Sequence, residues 1–431
     1  MRPDGAPEGS RGRQVTVIGC DGSPLTDAAR GRLAAATLVV GAPRHLEAVP
    51  VPEGAAVRQL TDVTRAVAEV AGHDGPCVLL ASGDPGFFGI VRRLAAAGIV
   101  AEVHPAVSSV ALAFARAGLS WDDAVVTSAH GRDLRPAVHA CAAHPKVAVL
   151  TGPGAGPAQI GQALVDLGAA EGRRLLVAED LGTPVERCRW VTPAAAAAWT
   201  WSDLAVVICL AGPVGPGEAG EAGGAGGAEG AGGAADLDPA PAGWLSGPVT
   251  PAGWALPDEA FEHRDGMVTK AEVRAVALAR LGPRTGDLVW DIGTGSGSVA
   301  VECARFGAAV VAVDRDGTQL AQRNAARHGV SLIGVTGAAP EVLRGLPDPD
   351  AVFVGGGGAD VGAITADCVA RGPRTVVVAL AALERLAAVR SALAPYAVEG
   401  VQVSAARLRD LGPASGLAAT NPVLLVWGTR P

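Results

Sequence analysis

From Ala211 to Gly243 the chain is built almost entirely of Gly, Ala, Glu and Pro, as in Gly220-Glu-Ala-Gly-Gly-Ala-Gly-Gly-Ala-Glu-Gly230. Ordering a residue's backbone costs about 1–2 kcal/mol, and a stretch with so little apolar surface does not offset that by burial. An Ala-rich helix is the alternative, but glycine at nearly every third place costs about 1 kcal/mol each in a helix interior. The 431-residue chain is therefore expected to fold as two units, residues 13–212 and 244–431, joined by a flexible Gly/Ala linker over 213–243.

In the second unit, Leu288-Val-Trp-Asp-Ile-Gly-Thr-Gly-Ser-Gly-Ser298 reads as a buried strand that delivers an acidic residue and a glycine loop into a helix. Gly293, Gly295 and Gly297 let the backbone approach a ligand. The spacing is G-x-G-x-G, whereas a dinucleotide site prefers G-x-G-x-x-G, and position 298 is Ser. A second apolar run, Val310 to Val313, ends at Asp314, about 20 residues past the loop, where a carboxylate accepts both hydroxyls of an adenosine ribose. NAD enzymes use the same device, so Asp314 alone does not choose the cofactor. With Asp291 two residues ahead of the first glycine, the D-x-G-x-G-x-G form resembles motif I of class I methyltransferases, which bind S-adenosylmethionine (SAM). That resemblance implies a Rossmann-like domain with Asp291, Gly293, Gly295, Gly297 and Asp314 around SAM. Strands near Leu288, Val310, Leu332, Ala351, Thr375 and Val423, alternating with helices, suit it.

In the first unit, strand-like runs (Val15–Gly19, Leu38–Gly41, Cys77–Ala81, Ile99–Val103) alternate with helix-like ones (Thr26–Ala36, Thr61–Ala71, Phe87–Ala97, Ser108–Ala117), which predicts a mostly parallel α/β sheet. Further strands at Val125–Thr127, Val147–Leu150, Leu175–Ala178 and Ala205–Leu210 predict a second α/β lobe. Three loops stand out: Val17-Ile-Gly-Cys-Asp-Gly-Ser-Pro-Leu-Thr26, Ala81-Ser-Gly-Asp-Pro-Gly-Phe-Phe-Gly89 and His104-Pro-Ala-Val-Ser-Ser-Val110. Together they resemble the tetrapyrrole (corrin/porphyrin) methylase family, whose two lobes clamp SAM between them. The resemblance implies Gly83, Asp84, Pro85, Ser108 and Ser109 at the cofactor and Asp21 at the substrate. Trp121-Asp-Asp-Ala-Val-Val, Ala129-His-Gly-Arg132, Leu150-Thr-Gly-Pro and Glu179-Asp-Leu-Gly-Thr-Pro-Val-Glu-Arg187 narrow it to the enzymes that methylate corrin precursors at C5. Cys20-Asp21 departs from the longer glycine-rich loop of related methylases. His130 is a candidate catalytic residue, with a scaffold role as the alternative. Arg132 is a candidate partner for a substrate carboxylate, and a solvated surface arginine explains it equally.

Asp265-Gly-Met-Val-Thr-Lys-Ala-Glu-Val-Arg-Ala275, Gly337-Ala-Ala-Pro-Glu341, Ala351-Val-Phe-Val-Gly-Gly-Gly-Gly-Ala359 and Thr420-Asn-Pro-Val423 resemble the family that methylates C15 of the same macrocycle and removes a carboxylate. Fused in this order, the halves resemble the bifunctional, decarboxylating C5,15-methyltransferases of cobalamin biosynthesis. This resemblance implies SAM at two sites, one per domain, and a precorrin tetrapyrrole as substrate: reduced precorrin-6 is methylated at C5 and C15, loses the C12 acetate carboxylate and becomes precorrin-8x. Ala338 stands where that family carries Asp against the adenine amine, which leaves adenine to backbone groups. Thr269, Lys270, Arg274, Gly355 and Gly356 are the candidate substrate residues, with Lys270 also a catalytic candidate and Arg116 a further cation. A solvated helix start with Thr269 as N-cap and Glu272 at N3 explains the 269–274 stretch almost as well.

The net charge of −8 argues against capture of nucleic-acid phosphate, so an RNA methyltransferase of the tetrapyrrole-methylase-like fold is a lesser alternative, as is a non-catalytic SAM-binding scaffold. Seven scattered cysteines with no C-x-x-C pair suggest neither a metal cluster nor a disulfide framework. The polar N-terminus and the absence of a long apolar run predict no membrane partner and a cytoplasmic protein, and a homo-oligomer is expected. Methyl transfer from a sulfonium is an in-line displacement, which needs alignment and exclusion of water rather than a metal or a nucleophilic side chain.

Overall fold

Three sheets organise the computed structural model, which describes residues 14–212, 253–264 and 267–431. The linker expected over 213–243, and Asp265 and Gly266 of the 265–275 motif, lie outside the described residues.

The first sheet holds β1 (Val15–Cys20), β2 (Leu38–Gly41), β3 (Ala56–Gln59), β4 (Cys77–Ser82) and β5 (Ala101–His104), all parallel, in the order β3-β2-β4-β1-β5. Val15, Val17, Ile18, Leu38, Val39, Val40 and Val78 to Leu80 are buried, as expected for strands covered on both faces. Side chains start the intervening helices: Thr26 Oγ1 accepts from Ala29 N, Asp62 from Arg65 N and Ser108 from Ala111 N. The second sheet holds β6 (Val125–Ser128), β7 (Lys146–Leu150), β8 (Arg173–Glu179), β9 (Arg187–Val191) and β10 (Ala205–Ala211) in the order β6-β7-β10-β8-β9. Only β6 and β7 pair in parallel, so this lobe is mixed where the first is not.

The third sheet runs β13-β12-β11-β14-β15-β19-β16, from β11 (Leu288–Ile292), β12 (Ala309–Asp314), β13 (Ile333–Thr336), β14 (Ala351–Val354), β15 (Thr375–Leu380), β16 (Ala397–Val403) and β19 (Val423–Thr429). β11 to β15 are parallel and β19 is antiparallel to both neighbours. The winding reverses between β11 and β14, and in an open α/β sheet ligands bind in the crevice at such a switch point. A separate ribbon, β17 (Ala406–Leu411) with β18 (Ala414–Ala419), projects from this unit. Both units are α/β: a two-lobed N-terminal half and a Rossmann-like C-terminal half.

The sequence reading missed β3, β9 and β16 to β18. These are edge or ribbon strands, half-buried in β9 and largely exposed in the others, so no buried apolar run marks them. It also misjudged the start of the Ala271–Leu281 helix. The cap comes from Asp258, whose Oδ1 accepts from Ala271 N at 3.0 Å, and not from Thr269. Arg274 faces inward and is fully buried. It donates to Glu302 Oε1 at 3.3 Å and to the carbonyls of Thr269 and Leu256, and lies 4.7 Å from the centre of the Phe261 ring.

Glu302 is also fully buried and accepts from Leu256 N at 2.7 Å and Arg305 at 3.0 Å. Glu302→Ala strands the Arg274 cation without its carboxylate and is expected to cost about 3–5 kcal/mol, seen as a large fall in the urea midpoint of the second unit. The exposed pair Arg323–Glu262 is the control: Glu262→Ala should leave that midpoint nearly unchanged.

Candidate functional site

At the C-terminal end of β11 the chain turns through Gly293 to Gly297 into the Ser298–Arg305 helix. Gly293 has φ +72°, and a Cβ there would stand 2.8 Å from the backbone of Gly356, so only glycine lets the loop after β14 lie against the loop after β11. Gly355 N donates to the Ile292 carbonyl at 2.9 Å, and Gly337 N to the Asp314 carbonyl at 3.1 Å, which sets Ala338 beside the end of β12. Asp291, Gly293, Gly295, Gly297, Asp314, Ala338, Gly355 and Gly356 therefore come together at one sheet edge.

Their roles within it differ. Asp291 is 1% exposed; its Oδ2 accepts from Thr294 Oγ1 at 2.8 Å and from Ala300 N at 3.0 Å, while Oδ1 is buried with no partner. Burial pushes its carboxyl up to about 6, against the pull of those two donors. The side chain is a strut beneath the loop. Asp314 accepts from Gly295 N at 2.9 Å and from Asp316 N at 3.0 Å, so it ties the loop to the end of β12. A glycine cradle that a Cβ would fill, an orphaned carboxylate oxygen and a half-buried acid at the strand end fit an adenosine-bearing sulfonium.

Arg374, just ahead of β15, donates to the carbonyls of Leu281 and Gly282 and so fixes the C-terminus of the Ala271–Leu281 helix at the opposite sheet edge. The helix packs along β14, β15 and β19, and its N-terminus, with Thr269 and Lys270, therefore faces the glycine-loop edge. Lys270 Nζ lies 3.3 Å from Asp258 Oδ2, which also accepts from Arg407 at 2.8 Å, and Arg407 grips Glu272 at 2.7 Å. Arg274 is not available to substrate: its guanidinium is buried and spent inside the fold, and the expectation of a substrate contact is withdrawn. Arg407 was missed because β17 carries no strand signal.

The first unit has a second such edge. Gly83 N donates to the Cys20 carbonyl at 2.7 Å, and a methyl on Gly83 would stand 3.1 Å from Ser108 Cα. Asp21 accepts from Ser23 N at 2.9 Å and from Val107 N at 3.0 Å; burial raises its pKa, but these donors outweigh that and hold it below the usual carboxylate range. Asp84 accepts from Gly86 N at 2.8 Å across Pro85, and the Ser108 hydroxyl is occupied capping the helix that begins at Ser109. The lobes meet here: a Cβ on Gly22 would lie 2.0 Å from the Gly182 carbonyl oxygen. His130 is exposed, with Nδ1 donating to the Thr151 carbonyl at 3.1 Å, and Arg132 lies 5.5 Å from the centre of the Phe88 ring. Arg116 is paired with Glu186.

One cation was overlooked. Arg44, in the Pro43–Ala48 helix that follows β2, donates to Ser82 Oγ at 2.6 Å, directly ahead of Gly83. Burial lowers its pKa, while Asp180 of the second lobe favours the charged form, so it stands between the lobes. No carboxylate among the described residues pairs with it within 4 Å. Its signal is an arginine one residue past a proline that opens a helix directly after a buried parallel strand. Cys20 beside it is pushed up to about 11 by burial, a neutral thiol rather than a nucleophile. Among the described residues no cluster of three or more His, Cys, Asp or Glu is placed to hold a metal, and no helix is long and apolar enough to cross a membrane.

Two family models match the chain: tetrapyrrole (corrin/porphyrin) methylases over residues 18–198 and a precorrin methyltransferase domain over 259–430. The chain is 38% identical, over 82% of its length and 80% of the relative, to a precorrin-6Y C(5,15)-methyltransferase [decarboxylating] from Sinorhizobium sp. A protein of the same name from Mycobacterium tuberculosis is 31% identical over 80% of each chain. A probable cobalt-precorrin-6B C(15)-methyltransferase (decarboxylating) from Pyrobaculum calidifontis is 42% identical over 40% of this chain and 93% of its own.

The environment of Asp291 makes a pH prediction. Its folded pKa, about 6, lies above the ordinary 3.8, so its contribution to stability is fully present below pH 3.8 and is lost as pH rises through about 6. Asp291→Asn removes that titration. Relative to the parent, the variant should gain on the order of 3 kcal/mol between about pH 4 and pH 6 in denaturant titrations, and a pH-independent difference would count against this environment.

Proposed function

The chain belongs to the decarboxylating precorrin-6Y C(5,15)-methyltransferases, and from that premise we propose that each of its units holds its own SAM. In this proposal residues 13–212 methylate C5, and residues 244–431 methylate C15 and release the C12 acetate carboxylate as CO2. The observation that carries the two-site reading is the repetition of one construction, a glycine turn at the C-terminal edge of a parallel sheet braced by a carboxylate, once per unit.

SAM supplies the methyl group as an electrophilic carbon on sulfur. The chain's part is to bind, align and exclude water. In the first unit Gly83, Asp84, Pro85, Ser108 and Ser109 would line the donor, with backbone groups doing most of the work because Asp84 and Ser108 are engaged in their own turns. In the second, Gly293, Gly295 and Gly297 would face the donor, Asp314 its ribose and Ala338 its adenine, while Asp291 positions the loop from below. Gly355 and Gly356, packed against Gly293, would border the acceptor carbon. Thr269 and Lys270 border the same edge, and Lys270, shared with Asp258, is a cation placed to meet a ring carboxylate. In the first unit Arg44 joins Asp21, His130 and Arg132 around the ring, with Arg44 the anchor for a carboxylate.

The expected homo-oligomer and cytoplasmic location belong to the same proposal, as does the absence of a nucleic-acid or membrane partner. Self-association is supported by the β17–β18 ribbon, whose cross-strand pair Leu408 and Leu417 is 74% and 70% exposed. The net charge of −8 supports a partner other than nucleic acid.

Calorimetry of the full chain should count two SAM, and Asp314→Ala should remove one and leave the other; a single-site isotherm for the parent would sink the two-site reading. Arg44→Ala should raise KM for the C5 methylation roughly tenfold, the value of one charge-assisted contact, with the C15 methylation unchanged. Arg44→Lys should recover only part of that loss.

A further inference from the structure

Past its exposed first two residues, Arg135 and Pro136, the Arg135–Ala143 helix is buried on every side. Ala137, Val138, His139, Ala140, Cys141 and Ala142 all lie out of solvent, and a helix covered all round is packed between two bodies. One is its own lobe. The other is the second unit, and the closest polar and glycine contacts fall where the strands of that unit's sheet begin. His139 Nδ1 donates to the Gly286 carbonyl at 3.0 Å and stands 3.8 Å from Asp350 Oδ2. A Cβ on Gly286 would lie 3.3 Å from Pro136 Cβ, and one on Gly307 would lie 2.9 Å from His144 Nε2. Gly286, Gly307 and Asp350 fall just ahead of β11, β12 and β14. Beside them, a Cβ on Gly168 would come within 3.6 Å of Ile333, the first residue of β13.

Four parallel strands thus present their N-terminal ends to the first unit. The junction is apolar as well as hydrogen-bonded: Ala137, Val138 and Ala140 belong to one continuous buried cluster with Ala309, Val311 and Leu343. Small polar junctions let domains move, whereas an apolar one holds their orientation. The glycine loop sits at the other end of β11, five residues on, which at ~3.3 Å per residue is about 16 Å from the docked end.

Resting on the two-site reading, we propose that the two units form one docked body in which the methylation edge of the second is turned away from the first. The macrocycle then leaves one site and reaches the other through solution between its two methylations.

A covalent lock tests this in the full chain. His139→Cys with Asp350→Cys places one thiol pair across the junction; His144→Cys with Thr285→Cys places another, since both side chains reach to within 3 Å of where a Gly307 Cβ would stand. A bis-maleimide with a disulfide in its spacer joins the thiols, reduction cleaves the spacer and releases them, and peptide mapping reports the link. At least one pair is expected to lock, with both methylations within about twofold of the reduced protein and singly methylated ring recovered through an ultrafilter. The proposal is overturned if neither pair locks in protein whose circular dichroism is native. It is equally overturned if locking abolishes a methylation that reduction restores, or if the ring stays bound until doubly methylated. A protein that fails to methylate in both redox states would instead overturn the functional reading beneath it.

Discussion

Both candidate edges depend on backbone meeting backbone without a side chain between. Gly19 against Gly83, Gly22 against Gly182 and Gly293 against Gly356 are three such places, and in each a single Cβ would push apart the loops that shape the site. Once the loops close this far, side-chain carboxylates are drawn into service as braces. Asp21, Asp291 and Asp314 each spend oxygens on loop N–H groups that would otherwise lack a partner. The acids that mark these turns in sequence are thus structural first, and the half-buried Asp314 has the freedom to meet a ligand that Asp291 lacks.

An acidic protein that binds an acid-rich ring has to reserve its few free cations. Most arginines near the two edges are neutralised inside the fold: Arg116 by Glu186, Arg274 by Glu302, Arg407 by Glu272 and Asp258. Lys270 shares Asp258 with Arg407, which leaves its ammonium only loosely held at 3.3 Å. Arg44 has a hydroxyl for a partner instead of a carboxylate, so an incoming carboxylate meets a guanidinium that has no internal ion pair to give up.

The legible part of the molecule is the part whose information is local. The parallel strands announce themselves as unbroken apolar runs because they are buried on both faces, and the loops after them carry glycines at fixed spacing. The architecture and the grouping of Gly293, Asp314 and Gly355 could therefore be read from local pattern. Arg274 could not: one residue of a polar-looking helix start is buried by Glu302, 28 positions away, and no periodicity reports a partner at that distance. The cap from Asp258, 13 residues before Ala271, was hidden for the same reason. Arg44 was passed over because a lone arginine in a short helix carries no pattern, and its meaning appears only when β2, β4 and the second lobe are brought together.

A parallel sheet has two unlike ends, and this chain uses them for unlike purposes. At the C-terminal end the connections open into loops with unpaired N–H groups, which is where a ligand is met. At the N-terminal end the returns are short, as at Gly286 and Gly307, and present a flat, closely packed surface on which the Arg135–Ala143 helix settles. Docking at that end costs the second unit nothing in catalytic access, because no group of its candidate site lies there. The same choice forbids a short path between the two sites, since the body of the sheet stands in the way. Fusing the units therefore fixes their stoichiometry and proximity without building a tunnel.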